Sequence, residues 1–199
     1  MTGAQYANSI ASYLSTSFGH RGITIYREVP LGKTIIGKNR RIDILVIEES
    51  TRVALALECK YQDSAGTADE KIPYALQDLT QLGMPVCLVY AGEGFSEGIR
   101  HMLAASPIAA QCLPDASLAP TEATRELDAA LAMTFKWWDL VVRGRAPFDP
   151  RVFDASRRDH RVFDASGRDH RVFDASGRDH RVFDASGRDP RASGQKKRG

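Results

Sequence analysis

The sequence predicts an α/β domain, a mixed central sheet with helices on its faces, over residues 1–148, followed by a disordered repeat tail over 149–199. Three observations predict it. Helical and strand periodicities alternate along the front of the chain. One run, Val86 to Ala91, is apolar almost throughout, as a buried central strand is. From residue 151 the chain repeats the decapeptide RVFDASGRDH four times with few changes. An apolar share of 43% over 199 residues suffices for one sizeable core.

Each element has its own signal. Tyr6, Ile10, Tyr13, Leu14 and Phe18 recur at helical spacing over Ala4 to Phe18, with Gly19 as the expected stop. Ile23 to Leu31 is rich in β-formers and reads as a strand. Arg41 to Glu48 and Arg52 to Gln62 read as two more. Asp69 to Leu82 reads as a helix with Ile72, Leu76, Leu79 and Leu82 on one face and Gly83 after it. Pro73 belongs in its first turn, where its missing N–H costs nothing. Ser96 is placed to cap a helix running to about Ala105, and Ile108 to Leu113 is a short edge strand. Thr121 is placed to cap the last helix, which carries Leu127, Leu131, Phe135 and Trp138 toward the core and ends near Gly144. Pro147 and Pro150 mark the domain edge. A three-strand meander followed by a crossover helix and another strand indicates the mixed sheet.

The tail cannot bury enough to fold. Each decapeptide offers one Val and one Phe as bulky apolar groups, worth about 3–6 kcal/mol, against roughly 10–20 kcal/mol of backbone entropy. Disorder follows. A tail rich in Arg with interspersed Phe is able to scan nucleic acid or a partner, but recent expansion of a short gene segment is the better explanation, since near-identity of the units needs no function. The tail also changes how charge is read. Residues 151–199 carry 13 Lys and Arg against eight Asp, a charge of +5, leaving −3 for residues 1–150 out of a total of +2. Three of the five histidines, His160, His170 and His180, lie in it and are poor candidates for catalysis.

Several classes are excluded. No apolar run approaches the ~18 residues a membrane span needs, and Met1 to Leu14 lacks the pattern of a secretory signal. Cys59, Cys87 and Cys112 are odd in number, lack metal-site spacing and sit in apolar stretches, which points to a reducing, cytoplasmic setting.

The chemistry concentrates in one hairpin. Its strands are RIDILVIE (Arg41 to Glu48) and VALALECK (Val53 to Lys60), joined at Glu49 to Arg52. Side chains alternate across a strand, so Val53, Leu55, Leu57 and Cys59 share a core face, while Ala54, Ala56, Glu58 and Lys60 share the other. Two small residues leading to an acid and a base leave open space above them. A hairpin symmetric about Ser50 and Thr51 sets Asp43 opposite Glu58, with Cβ atoms about 5 Å apart. Opposed like charges are unfavourable and call for a divalent cation. Carboxylate oxygens without His or Cys side chains on that face suit Mg²⁺, with Mn²⁺ as a substitute. A metal there polarises a phosphoryl oxygen and acidifies bound water, and Lys60 orients or deprotonates that water or meets the charge that builds on phosphate. The expected reaction is phosphodiester hydrolysis.

At these residues the sequence resembles the restriction-endonuclease-like nucleases that carry the PD-(D/E)XK motif. The match is Ile42 and Asp43, a spacer of fourteen residues, then Glu58, Cys59 and Lys60, with Ile42 standing where the motif has proline. The element order over roughly residues 4–113 resembles that family's αβββαβ core. The resemblance implies that Asp43 and Glu58 ligate Mg²⁺, that the Cys59 backbone carbonyl adds a ligand, and that Lys60 is the catalytic lysine. Many members carry a further acid on the first helix; Ala4 to Phe18 has none, and Glu28 on the first strand is the available substitute. Gln62, Lys71 and Gln77 follow the motif and are candidates to contact phosphate or metal-bound water. DNA is the implied partner, and cutting both strands with one centre per chain implies a homodimer.

Other readings of the same residues are structural. Asp43, Glu58 and Lys60 form an ion-pair cluster at a sheet edge in one, and a non-cutting nucleic-acid-binding site of the same fold in another. A domain whose tail recruits protein partners is a third. Lys33, Lys38, Arg40 and Arg41 are either a solvated loop or a grip on phosphate. Trp137 and Trp138 are expected in the core. Glu93 to Gly98, EGFSEG, is a helix entry, since its two carboxylates would repel phosphate.

Overall fold

The computed structural model describes residues 1–64 and 69–150. The repeats, and with them the expected tail beyond Pro150, lie outside the described residues. One compact unit spans Met1–Gly144, and the described residues 145–150 fall outside it.

The first unit runs α1 (Gly3–Phe18), β1 (Ile23–Lys33), β2 (Asn39–Glu48), β3 (Ala54–Tyr61), α2 (Lys71–Thr80), β4 (Val86–Ala91), α3 (Glu97–Ala105), β5 (Ala109–Gln111), α4 (Arg125–Phe135) and a single turn, α5 (Trp138–Val141). The strands form one sheet in chain order. β1, β2 and β3 pair antiparallel, whereas β3, β4 and β5 pair parallel. This is the expected mixed sheet. No helix among the described residues is long and apolar enough to cross a membrane.

The topology sets the layers. α2 and α3 are successive crossovers that step the same way along the sheet, and crossovers of one hand then place both helices on one face. There Ile72, Leu79 and Leu103 pack on Ala56, Leu88 and Tyr90. The other face is covered by α1 and α4. Tyr6, Ile10, Tyr13, Leu14 and Phe18 of α1 meet Leu127, Leu131 and Phe135 of α4 over Val46, Leu57 and Val89. Both apolar stripes were visible as helical spacing, and both are buried.

Local chemistry explains the ends of the elements. A capping box starts α1: the Thr2 hydroxyl accepts from the Gln5 N–H at 3.2 Å, and the Gln5 side chain accepts from the Thr2 N–H at 2.7 Å. Gly19 does not stop this helix as expected. It keeps right-handed backbone (φ −54°) and opens a 3₁₀ turn, Gly19–Arg21, and Gly22 at φ 76° makes the reversal. Ser96 occupies the N-cap of α3, but its side chain makes no capping bond there. Its N–H instead reaches the Asp69 carboxylate at 3.1 Å.

The last helix also differs from expectation. It ends at Phe135, because Lys136 turns left-handed at φ 62°. The break rotates the two tryptophans apart. Trp137 packs between Phe18 and Phe135 with ring centroids at 5.8 and 4.9 Å, whereas Trp138 stays 48% exposed and outside the core.

Candidate active site

The expected hairpin register is observed. Ile44, Leu45, Val46 and Ile47 pair with Leu57, Ala56, Leu55 and Ala54. Continued by one step, that register sets Asp43 against Glu58. The regular ladder stops at Ile44 and Leu57, and Asp43 closes it with its side chain: Oδ2 accepts the Cys59 backbone N–H at 2.8 Å. The carboxylate is thereby fixed at the end of the two strands. Its backbone is held from the far side, where Arg27 Nε donates to the Asp43 carbonyl at 2.9 Å.

Strand alternation breaks at this point. Ile44 and Val46 pack under α1, but Ile42 packs with the α2 cluster. Ile42 and Asp43 therefore both line the same cleft, with Glu58 and Lys60. Position 28 of β1, which lies across from Asp43 between the pairs Arg27–Ile44 and Val29–Ile42, is left-handed at φ 55°. A non-glycine residue in that region is strained and is held there by its surroundings.

The cleft is about 980 Å³ and lies between the end of the β2–β3 hairpin and α2. The two alanines expected to leave space do so only in part. Ala56 is fully buried beneath α2, since Ile72 and Leu79 fill the volume above it. The opening begins at Glu58. From α2, Lys71, Tyr74, Ala75, Asp78 and Leu79 face it, a run of one helical side.

Glu58 and Lys60 form an ion pair, Nζ to Oε1 at 2.6 Å, with both side chains about four-fifths buried at 21% and 23% exposure. Burial pushes the Glu58 carboxyl above its ordinary range, Lys60 opposing and the nearby Asp43 charge adding to the shift. The Cys59 thiol lies in the core on the opposite side, and burial raises it well above the usual thiol range. Only the Cys59 backbone is available to this site, and the thiol is inert. All three cysteines are free and buried.

The other candidates separate. Glu28 does not line the cleft; it pairs on the surface with Arg41 at 2.6 Å. Gln62 is buried away from the cleft, its Nε2 donating to the Gly94 carbonyl at 2.6 Å and to Asp69 at 3.1 Å. Gln77 is exposed and does not line it. Lys71 does line it. Of the basic run, Arg40 is not a free phosphate grip. It is 8% exposed and forks onto Asp78, with Nε and one Nη each 2.8 Å from a carboxylate oxygen.

Asp78 and Tyr74 are the residues that sequence reasoning missed. A signal for Asp78 existed: it falls inside the buried arc of α2, between Ile72 and Leu79. A carboxylate there demands a partner.

A family model described as a PD-(D/E)XK nuclease superfamily domain matches residues 2–138. The chain belongs to the PD-(D/E)XK nuclease superfamily. No curated protein matches it. Among solved structures, a repair endonuclease from Pyrococcus abyssi is 17% identical over 51% of this chain and 44% of its own, with a TM-score of 0.32. The chain thus spans under half the length of that protein. The MunI restriction endonuclease, solved in complex with cognate DNA, is 12% identical over 69% of this chain and 99% of its own, with a TM-score of 0.40.

In this PD-(D/E)XK domain the motif residues Asp43, Glu58 and Lys60 converge on one cleft. The donor set fits a small hard cation. Three carboxylates line the cleft and Arg40 takes that of Asp78, which leaves Asp43 and Glu58; no imidazole or thiolate lines it, and such a cation takes one or two carboxylates while keeping several waters. A buried Glu58 carboxyl raised by desolvation and by Asp43 is a group whose charged form a dication would stabilise. Among the described residues no cluster of three or more His, Cys, Asp or Glu is placed to hold a metal ion, so any cation here would rest on these two carboxylates, backbone and water.

Proposed function

We propose that the protein is a Mg²⁺-dependent endodeoxyribonuclease that hydrolyses phosphodiester bonds in DNA, in restriction, repair or mobile-element processing. The observation that carries this reading is the convergence of Asp43, Glu58 and Lys60 on one cleft at the end of the β2–β3 hairpin. Asp43, Glu58 and the Cys59 carbonyl would hold the cation. When bound, it supplies Lewis acidity at a phosphoryl oxygen and an acidified water.

The chain's own residues do the rest. The Cys59 N–H fixes one Asp43 oxygen and leaves the other free for a ligand. Lys60, now on Glu58, is placed to hold the attacking water or to meet the charge that develops on the phosphate. Lys71 at the cleft wall is available for a neighbouring phosphate, and Arg41 would be so on leaving its surface pair with Glu28. One centre per chain breaks one strand, so double-strand cutting uses two copies. Three reduced cysteines agree with a cytoplasmic setting.

The test is cleavage of single-stranded, duplex and branched DNA, with RNA as control, in Mg²⁺, Mn²⁺ and EDTA. Metal-dependent cutting that Lys60→Ala abolishes supports the proposal. Intact substrates under every condition overturn it.

One observation favours a second reading, a non-cutting nucleic-acid-binding module. Lys60 already neutralises Glu58 within the chain. Salt-sensitive DNA binding that survives EDTA and Asp43→Ala, without cleavage, selects that alternative.

A further inference from the structure

An exposed apolar pair lies at the turn between β1 and β2, beside the cleft. Ile35 and Ile36 are 41% and 61% exposed, side by side. Single exposed hydrophobics are ordinary, but an adjacent pair at a turn tip invites a partner. This tip is also built rigidly. The Thr34 N–H donates to the Lys38 carbonyl and the Gly37 N–H to the Thr34 carbonyl, both at 2.8 Å. The Lys38 N–H reaches the Thr34 hydroxyl at 3.1 Å, and Gly37 supplies the left-handed backbone at φ 78°. From α2, the Asp78 carboxylate takes the Ile35 N–H at 2.8 Å, locking the tip to the cleft wall. The same carboxylate is neutralised by Arg40, so the clamp presents no net charge.

Position and charge say what the tip meets. Lys33 and Lys38 flank it, both exposed, and Lys33 is steered by Asn39 at 2.6 Å. Thr34 and Asn39 line the cleft that holds Asp43 and Glu58. Asn39 is four residues along β2 from Asp43, about 13 Å at ~3.3 Å per residue, and Ile35 and Ile36 precede it in the turn, with Ile35 held beside Asp78 on the cleft wall. A duplex with a phosphate at the carboxylates has its groove within that reach. The major groove, about 12 Å wide, admits a two-stranded ribbon, and the apolar feature it offers is the thymine C5 methyl.

We infer that the β1–β2 hairpin is a major-groove probe, with Ile35 and Ile36 pressed on thymine methyls and Lys33 and Lys38 on the flanking phosphates of duplex DNA. The inference rests on the nuclease reading and adds how that site grips duplex. Lysines beside an apolar tip match a polyanion whose groove holds methyls, whereas a purely apolar protein partner gives the lysines nothing to do.

The test uses the full chain and a labelled mixed-sequence duplex, prepared with thymine or with deoxyuridine at every thymine position. Deoxyuridine removes only the major-groove methyl. Binding is measured by anisotropy in EDTA and in Ca²⁺, and cleavage of the same duplexes in Mg²⁺. The wild type should bind the deoxyuridine duplex at least about fourfold more weakly, the loss expected for one methyl. The double variant Ile35→Ser with Ile36→Ser should bind both duplexes alike; both side chains are exposed, and an unchanged melting temperature confirms its fold. Any binding by the repeat tail adds to both duplexes and leaves their ratio unchanged. Equal binding of the two duplexes by the wild type, or full discrimination retained in the double variant, overturns the inference, and the first is what a protein-docking tip gives. If the wild type still cuts the thymine duplex in that case, the nuclease reading stands while the probe falls. If it neither binds nor cuts any duplex, both fall.

Discussion

Arg40 and Asp78 form a forked ion pair, buried at 8% and 9% exposure, that ties the first residues of β2 to α2 along the wall of the cleft. A third Arg40 contact, Nη to the Asp78 carbonyl at 3.2 Å, fixes the guanidinium plane. Removing one partner of a buried pair leaves the other uncompensated. Asp78→Ala should therefore cost about 3 kcal/mol of unfolding free energy, read from urea denaturation. A loss within ±0.5 kcal/mol, ordinary for surface sites, would show that the pair contributes little.

The pair also sets a pH dependence. Hydrogen bonds from Arg40 hold the Asp78 carboxyl below the usual carboxylate range. A depressed folded pKa contributes stability that is present above the unfolded value and lost as pH falls through the folded one. The unfolded value is about 3.9. The stability gap between wild type and Asp78→Ala should thus hold steady from pH 7 to about pH 5 and close only below the ordinary Asp range. A gap that instead narrows between pH 7 and 6 points to a different titrating group.

Much of this was legible beforehand, for identifiable reasons. Alternating apolar residues made β2 and β3 visible, and turn symmetry set Ile44 against Leu57, as observed. The motif residues Asp43, Glu58 and Lys60 followed from that register. What escaped depends on tertiary contact. Nothing local marks Arg40 as buried, because its partner is 38 residues away on another element. Glu28 fits an extended strand by pattern, yet its backbone is left-handed and its side chain turns to Arg41. Trp138 sits at core spacing along one helix, but Lys136 interrupts that helix.

Metal binding is readable without catalysis. A ligand that binds only the folded state stabilises it by about 2.7 kcal/mol at a hundredfold excess over its dissociation constant. For a unit of this size that raises the melting temperature by roughly 5–10 °C. Mg²⁺ should produce such a shift in the wild type and EDTA should reverse it. Glu58→Gln should show no shift. Its metal-free form should melt no lower than the wild type, because burial and Asp43 together outweigh the Lys60 pairing and leave the Glu58 charge disfavoured. An equal Mg²⁺ shift in the variant removes Glu58 from the ligand set.

Lys60 tests a different step. If it meets charge in the transition state, Lys60→Ala should lower the cleavage rate by about 10²–10³-fold while keeping the Mg²⁺-induced rise in melting temperature. Loss of both together would make Lys60 a structural partner of Glu58 and no more.

Lys136 offers the last prediction. Its left-handed backbone, φ 62°, ends α4 and lets Trp137 turn back onto Phe135. A side chain in that region costs about 1–2 kcal/mol relative to glycine. Two contacts oppose the change: Lys136 Nζ donates to the Met133 carbonyl at 3.2 Å and sits 5.6 Å from the Trp138 ring centroid. Both are at the surface, where a cation–π contact is worth about 0.5–1 kcal/mol. The freedom glycine adds to the unfolded chain costs about 0.4–1 kcal/mol, which offsets part of this relief. Lys136→Gly should therefore leave stability unchanged or raise it by up to about 1 kcal/mol, whereas the β-branched Lys136→Val should lower it. Urea midpoints for the two variants decide the matter; a Gly variant less stable than the Val variant would mean that the surface contacts of Lys136 outweigh its backbone strain.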